Sequence, residues 1–176
     1  MYIQNTKFFN PDNKMVEWIV DYAAGRTIIE VGCGTGHLAE KLFEAGVKNY
    51  IGIDPYMDYT AFMKMRYEYN LNSLHVFPYE VNSKDVNYLL DALLSKNPEK
   101  FIIVLARPCH HPALVDGAFE LGTSETEHLY IGLPRNYNID LETEIPRVKK
   151  KWKHEELNHL GTSADGEKVL KILIDA

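Results

Sequence analysis

A strand, a glycine-rich turn, a helix and a second strand ending in an acid follow one another in TIIEVGCGTGHLAEKLFEAGVKNYIGIDPY, residues 27–56. The apolar run TIIEV is typical of a strand that is buried on both faces. Gly32, Gly34 and Gly36 permit a sharp turn with positive φ and let a ligand approach the backbone closely. The stretch therefore predicts a βαβ unit that holds a nucleotide-like ligand.

Short apolar runs alternate with helical spacing along most of the chain. The predicted strands are TIIEV, YIGID, LHVFPYEV, FIIVLA and HLYIGL. Five strands separated by helices form right-handed βαβ units. The sequence therefore predicts an α/β fold with a Rossmann-like, doubly wound sheet of five parallel strands and helices on both faces.

The two ends of the chain depart from this alternation. Apolar residues at helical spacing predict an amphipathic helix between Asn10 and Gly25, so that residues 1–25 form a helical lid segment. HEELNHLGTS and EKVLKILI are joined only by short turn residues, which predicts an antiparallel hairpin at residues 154–176. A short helix is predicted at Pro112–Leu121. We expect one domain over residues 1–176.

Composition narrows the classes of partner. The chain has 176 residues, is 45% hydrophobic and has a net charge of -6 with a pI near 5.6. The acidic balance gives no broad basic face for nucleic acid, although RVKKKWK at residues 147–153 is a local cationic run that keeps a nucleic-acid acceptor possible. No apolar run approaches the roughly 20 residues that span a bilayer. We expect a soluble cytoplasmic protein without membrane contact.

The spacing of the glycines separates related ligand sites. The dinucleotide fingerprint is G-x-G-x-x-G, whereas this loop is G-x-G-x-G with His37 where the third glycine would fall. No Gly-Lys-Ser/Thr follows, which excludes a P-loop. Asp54 ends the second strand, where a carboxylate accepts hydrogen bonds from a ribose diol. This acid fits the ribose of NAD or that of another adenosine compound.

EVGCGTG followed by GIDPY resembles the first two motifs of the class I S-adenosylmethionine-dependent methyltransferases. The resemblance implies S-adenosylmethionine as cofactor and methyl transfer as the activity. It also agrees with the predicted order of five parallel strands and a C-terminal hairpin, so it extends over most of the chain.

By position, the resemblance implies that the three glycines line the methionine part of the cofactor and that Glu30 organises its amino group. Asp54 would hold the ribose hydroxyls, and the segment around Glu80 would contact adenine. The predicted cofactor-binding residues are Glu30, Gly32, Cys33, Gly34, Gly36, Asp54, Pro55, Glu80 and Val81.

The segment ARPCHHP follows the fourth strand and is predicted to face the transferable methyl group. His110 is the preferred base for a protonated acceptor, with His111 as the alternative, and Arg107 would orient an anionic acceptor. A structural role for either histidine at a helix entry remains open. Three adjacent residues cannot all turn toward one ion, so Cys109 with the two histidines predicts no metal site.

Methyltransferases that act on amino groups often carry N/D-P-P-Y/F at this point, and here only Pro108 is kept. The acceptor, a small molecule or a macromolecule, is therefore not identified. A degenerate module for binding or assembly and an NAD-dependent oxidoreductase are the alternative functions. Aromatic residues predict a lid over the site or, alternatively, a core or subunit contact that would make a homo-oligomer: Tyr2, Phe8, Phe9, Tyr56, Tyr59, Tyr67 and Tyr69.

Overall fold

The computed structural model describes residues 13–81, 83–106, 117–118, 120–122 and 125–132, together with the backbone of two strands at 152–157 and 168–174. The helices are α1 (Asn13–Ala23), α2 (His37–Glu44), α3 (Tyr59–Glu68) and α4 (Lys84–Lys96). The strands are β1 (Thr27–Val31), β2 (Asn49–Ile53), β3 (Ser73–Phe77), β4 (Phe101–Ala106), β5 (Glu127–Gly132), β6 (Trp152–Leu157) and β7 (Lys168–Ile174).

The strands form one sheet in the order β3-β2-β1-β4-β5-β7-β6. Strands β1 to β5 pair in parallel, which confirms the predicted five-stranded α/β sheet. Strands β6 and β7 pair antiparallel with each other, and β7 pairs with β5. The turn between them lies outside the described residues, so the hairpin remains a prediction.

Helices cover both faces of the sheet, as the alternation of strands and helices predicted. Ile29 and Val31 pack on one face with Leu90 and Leu94 of α4. The opposite face buries Ile28 against residues of α1, α2 and α3. Successive strand residues point to opposite faces, and both faces of the sheet are covered, so β1 is buried on both sides, including the polar Glu30.

The third strand ends earlier than the sequence predicted. The expected strand LHVFPYEV extended to residue 81, whereas β3 ends at Phe77, immediately before Pro78. Proline has no backbone N–H to donate to a strand ladder, which accounts for the boundary. Tyr79 and Glu80 consequently lie in the connection to α4 rather than in the sheet.

The strand order fixes where a ligand site can form. The chain leaves β1 toward β2 and β3 on one side, and returns to β4 and β5 on the other. In sheets of this type the crevice at the carboxyl ends of the strands, where the order reverses, binds ligands. Here the carboxyl end of β1, with its glycine loop, lies between β2 and β4. None of the helices in the described part of the chain is long and apolar enough to cross a membrane.

Candidate functional site

The glycine loop has a backbone conformation that residues other than glycine rarely adopt. Gly32, Gly34 and Gly36 have φ values of 83°, 53° and 84°. The Gly36 carbonyl accepts the first α2 bond from Glu40 N–H at 2.8 Å, so the loop leads directly into a helix N-terminus. A Cβ on Gly36 would lie 2.6 Å from Met65 Cε. The positive φ favours glycine there, and an added Cβ would require the flexible end of the Met65 side chain to shift.

Asp54 ties this loop to the end of β2. Its Oδ2 accepts a hydrogen bond from the Gly34 backbone N–H at 2.9 Å, and its Oδ1 accepts one from the Tyr56 N–H at 2.8 Å. Burial raises the pKa of the Asp54 carboxyl, while the two N–H donors act in the opposite direction. The acid predicted to hold a ribose thus also shapes the loop, and unused lone pairs remain on both oxygens.

The connection between β2 and α3 holds the other side of Gly34. The Asp58 N–H donates to the Gly34 carbonyl at 3.2 Å. The Asp58 side chain instead caps α3, since its Oδ1 accepts from the Ala61 N–H at 3.0 Å. Both polar backbone groups of Gly34 are therefore bonded to the segment that begins at Asp54.

Glu30 lies beneath the loop in a cluster of buried polar groups. Its Oε2 accepts a hydrogen bond from the Tyr50 hydroxyl at 2.7 Å. The Glu30 side chain is 3% exposed, and burial raises its pKa to about 8, with a smaller contribution from the Asp54 charge. The Glu30 carboxyl is therefore largely protonated at neutral pH. Burial also raises the pKa of the nearby thiol of Cys33, a free cysteine.

Gly52 makes room for this cluster. It pairs with Glu30 across the β1–β2 ladder, and a Cβ there would lie 3.0 Å from both Cys33 Sγ and Tyr50 Cε1. The Tyr50 ring packs at 5.2 Å from Phe43 and 6.0 Å from Phe62, measured between ring centroids. Packing against these two rings therefore orients the Tyr50 side chain independently of the hydrogen bond that its hydroxyl donates to Glu30.

The predicted adenine-contact residues adopt two different environments. The carboxyl end of β3 adjoins Asp54, whose N–H donates to the Phe77 carbonyl at 3.2 Å. Val81 is buried in the core with Ile53, whereas Glu80 is exposed and its carbonyl accepts from the Ser83 N–H at 2.9 Å. Contact of either side chain with adenine stays a prediction.

The predicted catalytic residues lie outside the described part of the chain. Arg107, Cys109, His110 and His111 follow β4, which ends at Ala106 and pairs with β1. The predicted helix at Pro112–Leu121 is also mostly outside it. Of the predicted aromatic lid, Tyr56 lies in the β2–α3 connection and Tyr59 begins α3, and both are more than half exposed. Tyr2, Phe8 and Phe9 are not among the described residues.

Sequence reasoning missed Tyr50 and Asp58. Alternation along YIGID places Tyr50 and Gly52 on one face of β2. The sequence does not give the register that brings this face against Glu30. Asp58 precedes an apolar helical pattern and could have been identified as a helix N-cap, but not as a backbone partner of Gly34.

Comparison with known proteins agrees with this geometry. Residues 29–111 match the model of a family described as a methyltransferase domain. The matched segment begins in β1 and includes the glycine loop, Asp54 and all of β4. No curated protein sequence matches the chain.

Solved structures share the fold at low sequence identity. The ribosomal protein L11 methylase of Lactobacillus delbrueckii subsp. bulgaricus has a TM-score of 0.60 at 12% identity, covering 96% of this chain and 81% of its own. The magnesium protoporphyrin IX methyltransferase of Synechocystis PCC 6803, with bound SAM, has a TM-score of 0.60 at 12% identity, with coverages of 93% and 79%.

A third structure is the O-methyltransferase from Bacillus cereus in complex with SAH, with a TM-score of 0.53 at 15% identity. The alignment covers 99% of this chain and 83% of the Bacillus cereus enzyme. Together with the family match, these similarities confirm the resemblance to the class I S-adenosylmethionine-dependent methyltransferases. That family uses S-adenosylmethionine as its cofactor.

Proposed function

We propose that this chain, which carries a class I methyltransferase domain, binds S-adenosylmethionine between the glycine loop and Asp54 and transfers its methyl group to an acceptor. One observation carries the assignment of the site. The glycine loop and Asp54 are joined by the Gly34–Asp54 hydrogen bond at the carboxyl edge of the sheet. The Asp54 carboxylate therefore holds the glycine loop in a defined conformation.

The described residues fit the separate parts of this cofactor. The loop has positive φ at three glycines, a backbone that turns sharply and lets a ligand approach closely. The N-terminus of α2 favours a carboxylate, and Asp54 has lone pairs for ribose hydroxyls. Glu30 beneath the loop suits a cationic amino group. Cys33 and Pro55 would contribute as part of the two segments that surround the ligand.

The cofactor supplies an electrophilic methyl group on a sulfonium. The chain must exclude water and align a nucleophile with that group, and alignment alone can contribute up to roughly 7 to 11 kcal/mol. We assign this task to the segment after β4, with Arg107 orienting the acceptor and His110 taking a proton where the acceptor arrives protonated. Ala106 ends β4 beside β1, on the same edge as the glycine loop.

The acceptor is either a small molecule or an exposed group of a macromolecule. The similar structures belong to methyltransferases named for very different acceptors, so their fold does not select one. Tyr56, whose N–H donates to Asp54, and Tyr59 at the start of α3 are both exposed and offer aromatic surface to a planar ligand. For the organisation of the chain, we propose one cytoplasmic domain in which residues 1–25 form a helical lid segment and residues 154–176 form a C-terminal hairpin.

Ligand selectivity tests the proposal. S-Adenosylhomocysteine should bind the wild type and NADH should not compete with it. Asp54→Asn should weaken binding, because an amide cannot accept from both N–H groups and from a ribose. Asp58→Asn is the matched control: it removes a neighbouring charge, and asparagine caps a helix as well as aspartate does. NADH binding without S-adenosylhomocysteine binding would instead support the oxidoreductase alternative.

A further inference from the structure

Glu30 is a buried carboxyl under the glycine loop, and among the described residues it has no cationic partner. The ion pairs in the described ranges are Arg26–Glu127 and Lys64–Glu68, and neither includes Glu30. The titratable groups that act on Glu30 there are Tyr50 from β2, Cys33 from the loop and Asp54 beyond β2. Each of these described groups is neutral or negative, so they disfavour an ionised Glu30, and a cation beside it would favour the carboxylate.

Tyr50 controls where this carboxyl points. Its hydroxyl donates to Glu30 Oε2 at 2.7 Å, and both side chains are buried. The ring is held by Phe43 and Phe62, and Gly52 leaves the space through which it passes. A phenol donor can remain bonded to the carboxyl whether or not the carboxyl keeps its own proton, so the geometry does not depend on ionisation.

We propose that Tyr50 is a positioning residue of the cofactor site, which holds the Glu30 carboxyl so that it exchanges its proton for the cationic amino group of the bound cofactor. This inference rests on the proposed function and deepens it. The cofactor carries an ammonium in its methionine part, which is the charge that the cluster lacks. Tyr50 acts through Glu30.

The proton balance follows from the electrostatics. In the free protein Glu30 is neutral at pH 7, because burial raises its pKa to about 8. An ammonium nearby in a medium of low dielectric favours the carboxylate and lowers that pKa. Binding therefore breaks the O–H bond of Glu30, releases the proton to solvent and leaves a carboxylate facing an ammonium.

Calorimetric titration of S-adenosylhomocysteine in buffers of different ionisation enthalpy measures this exchange. We expect release of about one proton per ligand at pH 7, and an affinity that rises about tenfold from pH 6 to pH 7 and levels above pH 8. The ligand 5′-methylthioadenosine lacks the amino-acid part and should bind with no proton release. Equal proton release with both ligands would overturn the assignment to the amino group.

Two substitutions separate positioning from simple structural support. Glu30→Gln should abolish both the proton release and the pH dependence. Tyr50→Phe removes the donor that favours the carboxylate, so the affinity at pH 7 should fall and its upper plateau should move to higher pH. Tyr69→Phe is the matched control, since it removes a tyrosine hydroxyl bonded to Glu40 and Glu44 and should leave the pH profile unchanged.

These measurements test the role of Tyr50 and Glu30 separately from the proposed binding of S-adenosylmethionine. If S-adenosylhomocysteine binds without proton release and with the same pH profile in all variants, the inference fails while the proposed function stands. A Tyr50→Phe protein that is less stable but keeps the wild-type profile shows a purely structural role. If the folded wild type binds no S-adenosylhomocysteine at any pH, both fail.

Discussion

Asp54 Oδ2 lies 2.9 Å from the backbone nitrogen of Gly34, and this hydrogen bond joins the two most informative segments of the sequence. The acid at the end of β2 therefore supports the glycine loop before any ligand arrives. Loss of this side chain should affect both the stability of the fold and the binding of a nucleoside, and the two effects can be measured separately.

Replacing Asp54 by alanine should lower the free energy of unfolding by about 1–3 kcal/mol in the absence of ligand, because the N–H groups of Gly34 and Tyr56 lose their acceptor. Urea denaturation followed by circular dichroism measures the change. Asp58→Asn serves again as the control and should stay within about 0.5 kcal/mol of the wild type. An Asp54→Ala protein as stable as that control would show that the loop does not depend on the carboxylate.

Gly36→Ala should destabilise the protein by about 1–3 kcal/mol, because alanine is strained at φ 84° and its Cβ would meet Met65 Cε at 2.6 Å. Gly46→Ala is the comparison, since Gly46 has φ 103° and no atom within 4 Å of an added Cβ. Met65→Ala should relieve the steric part of the Gly36→Ala cost in a double-mutant cycle. Equal costs at the two glycines would contradict a steric contribution from Met65, because backbone strain alone would then account for both.

Some of these structural features could be predicted from the amino-acid sequence, and others could not. The fold class, the order of five strands and the turn at the glycines follow from periodicity and glycine spacing, because those features are local. The bonds of Asp54 and the Tyr50–Glu30 pair depend on strand register, and periodicity alone does not give register. The end of β3 at Phe77 could have been predicted from Pro78 by giving more weight to the missing N–H.

The contribution of Glu30 to the stability of the folded protein should fall as pH rises from about 4.5 to 8. The folded state has a Glu30 pKa of about 8 against 4.5 for an unperturbed glutamate, so it binds more protons than the unfolded state in this window. The contribution is at most about 5 kcal/mol, present below pH 4.5 and lost by pH 8. Glu30→Gln should flatten this part of the profile. An unchanged slope in that variant would contradict the buried, protonated carboxyl.

A second titration acts on the acid side. His128 is fully buried, with its ring nitrogens 3.1 Å from the Ala118 carbonyl and 3.3 Å from the Thr126 carbonyl. Burial lowers its pKa to about 4 from 6.5, so the unfolded state binds more protons between these values. The contribution of His128 to stability should fall by about 3 kcal/mol as pH drops from 6.5 to 4, which opposes the Glu30 contribution where the two ranges overlap.

The difference in unfolding free energy between wild type and His128→Gln, measured by denaturation across this range, isolates the histidine contribution from that of the carboxylates. The difference should shrink toward acid pH, since glutamine does not take up a proton. A constant difference from pH 7 to pH 4 would show that His128 titrates near its ordinary pKa in the folded protein.

We propose that the glycine loop and Asp54 form an S-adenosylmethionine site. Calorimetric titration of S-adenosylhomocysteine into the wild type and into Asp54→Ala tests it most directly. We predict micromolar binding to the wild type and a loss of about 1–3 kcal/mol of binding free energy in the variant, the scale of hydrogen bonds to a charged group. A folded wild type that binds neither S-adenosylhomocysteine nor S-adenosylmethionine would contradict the claim.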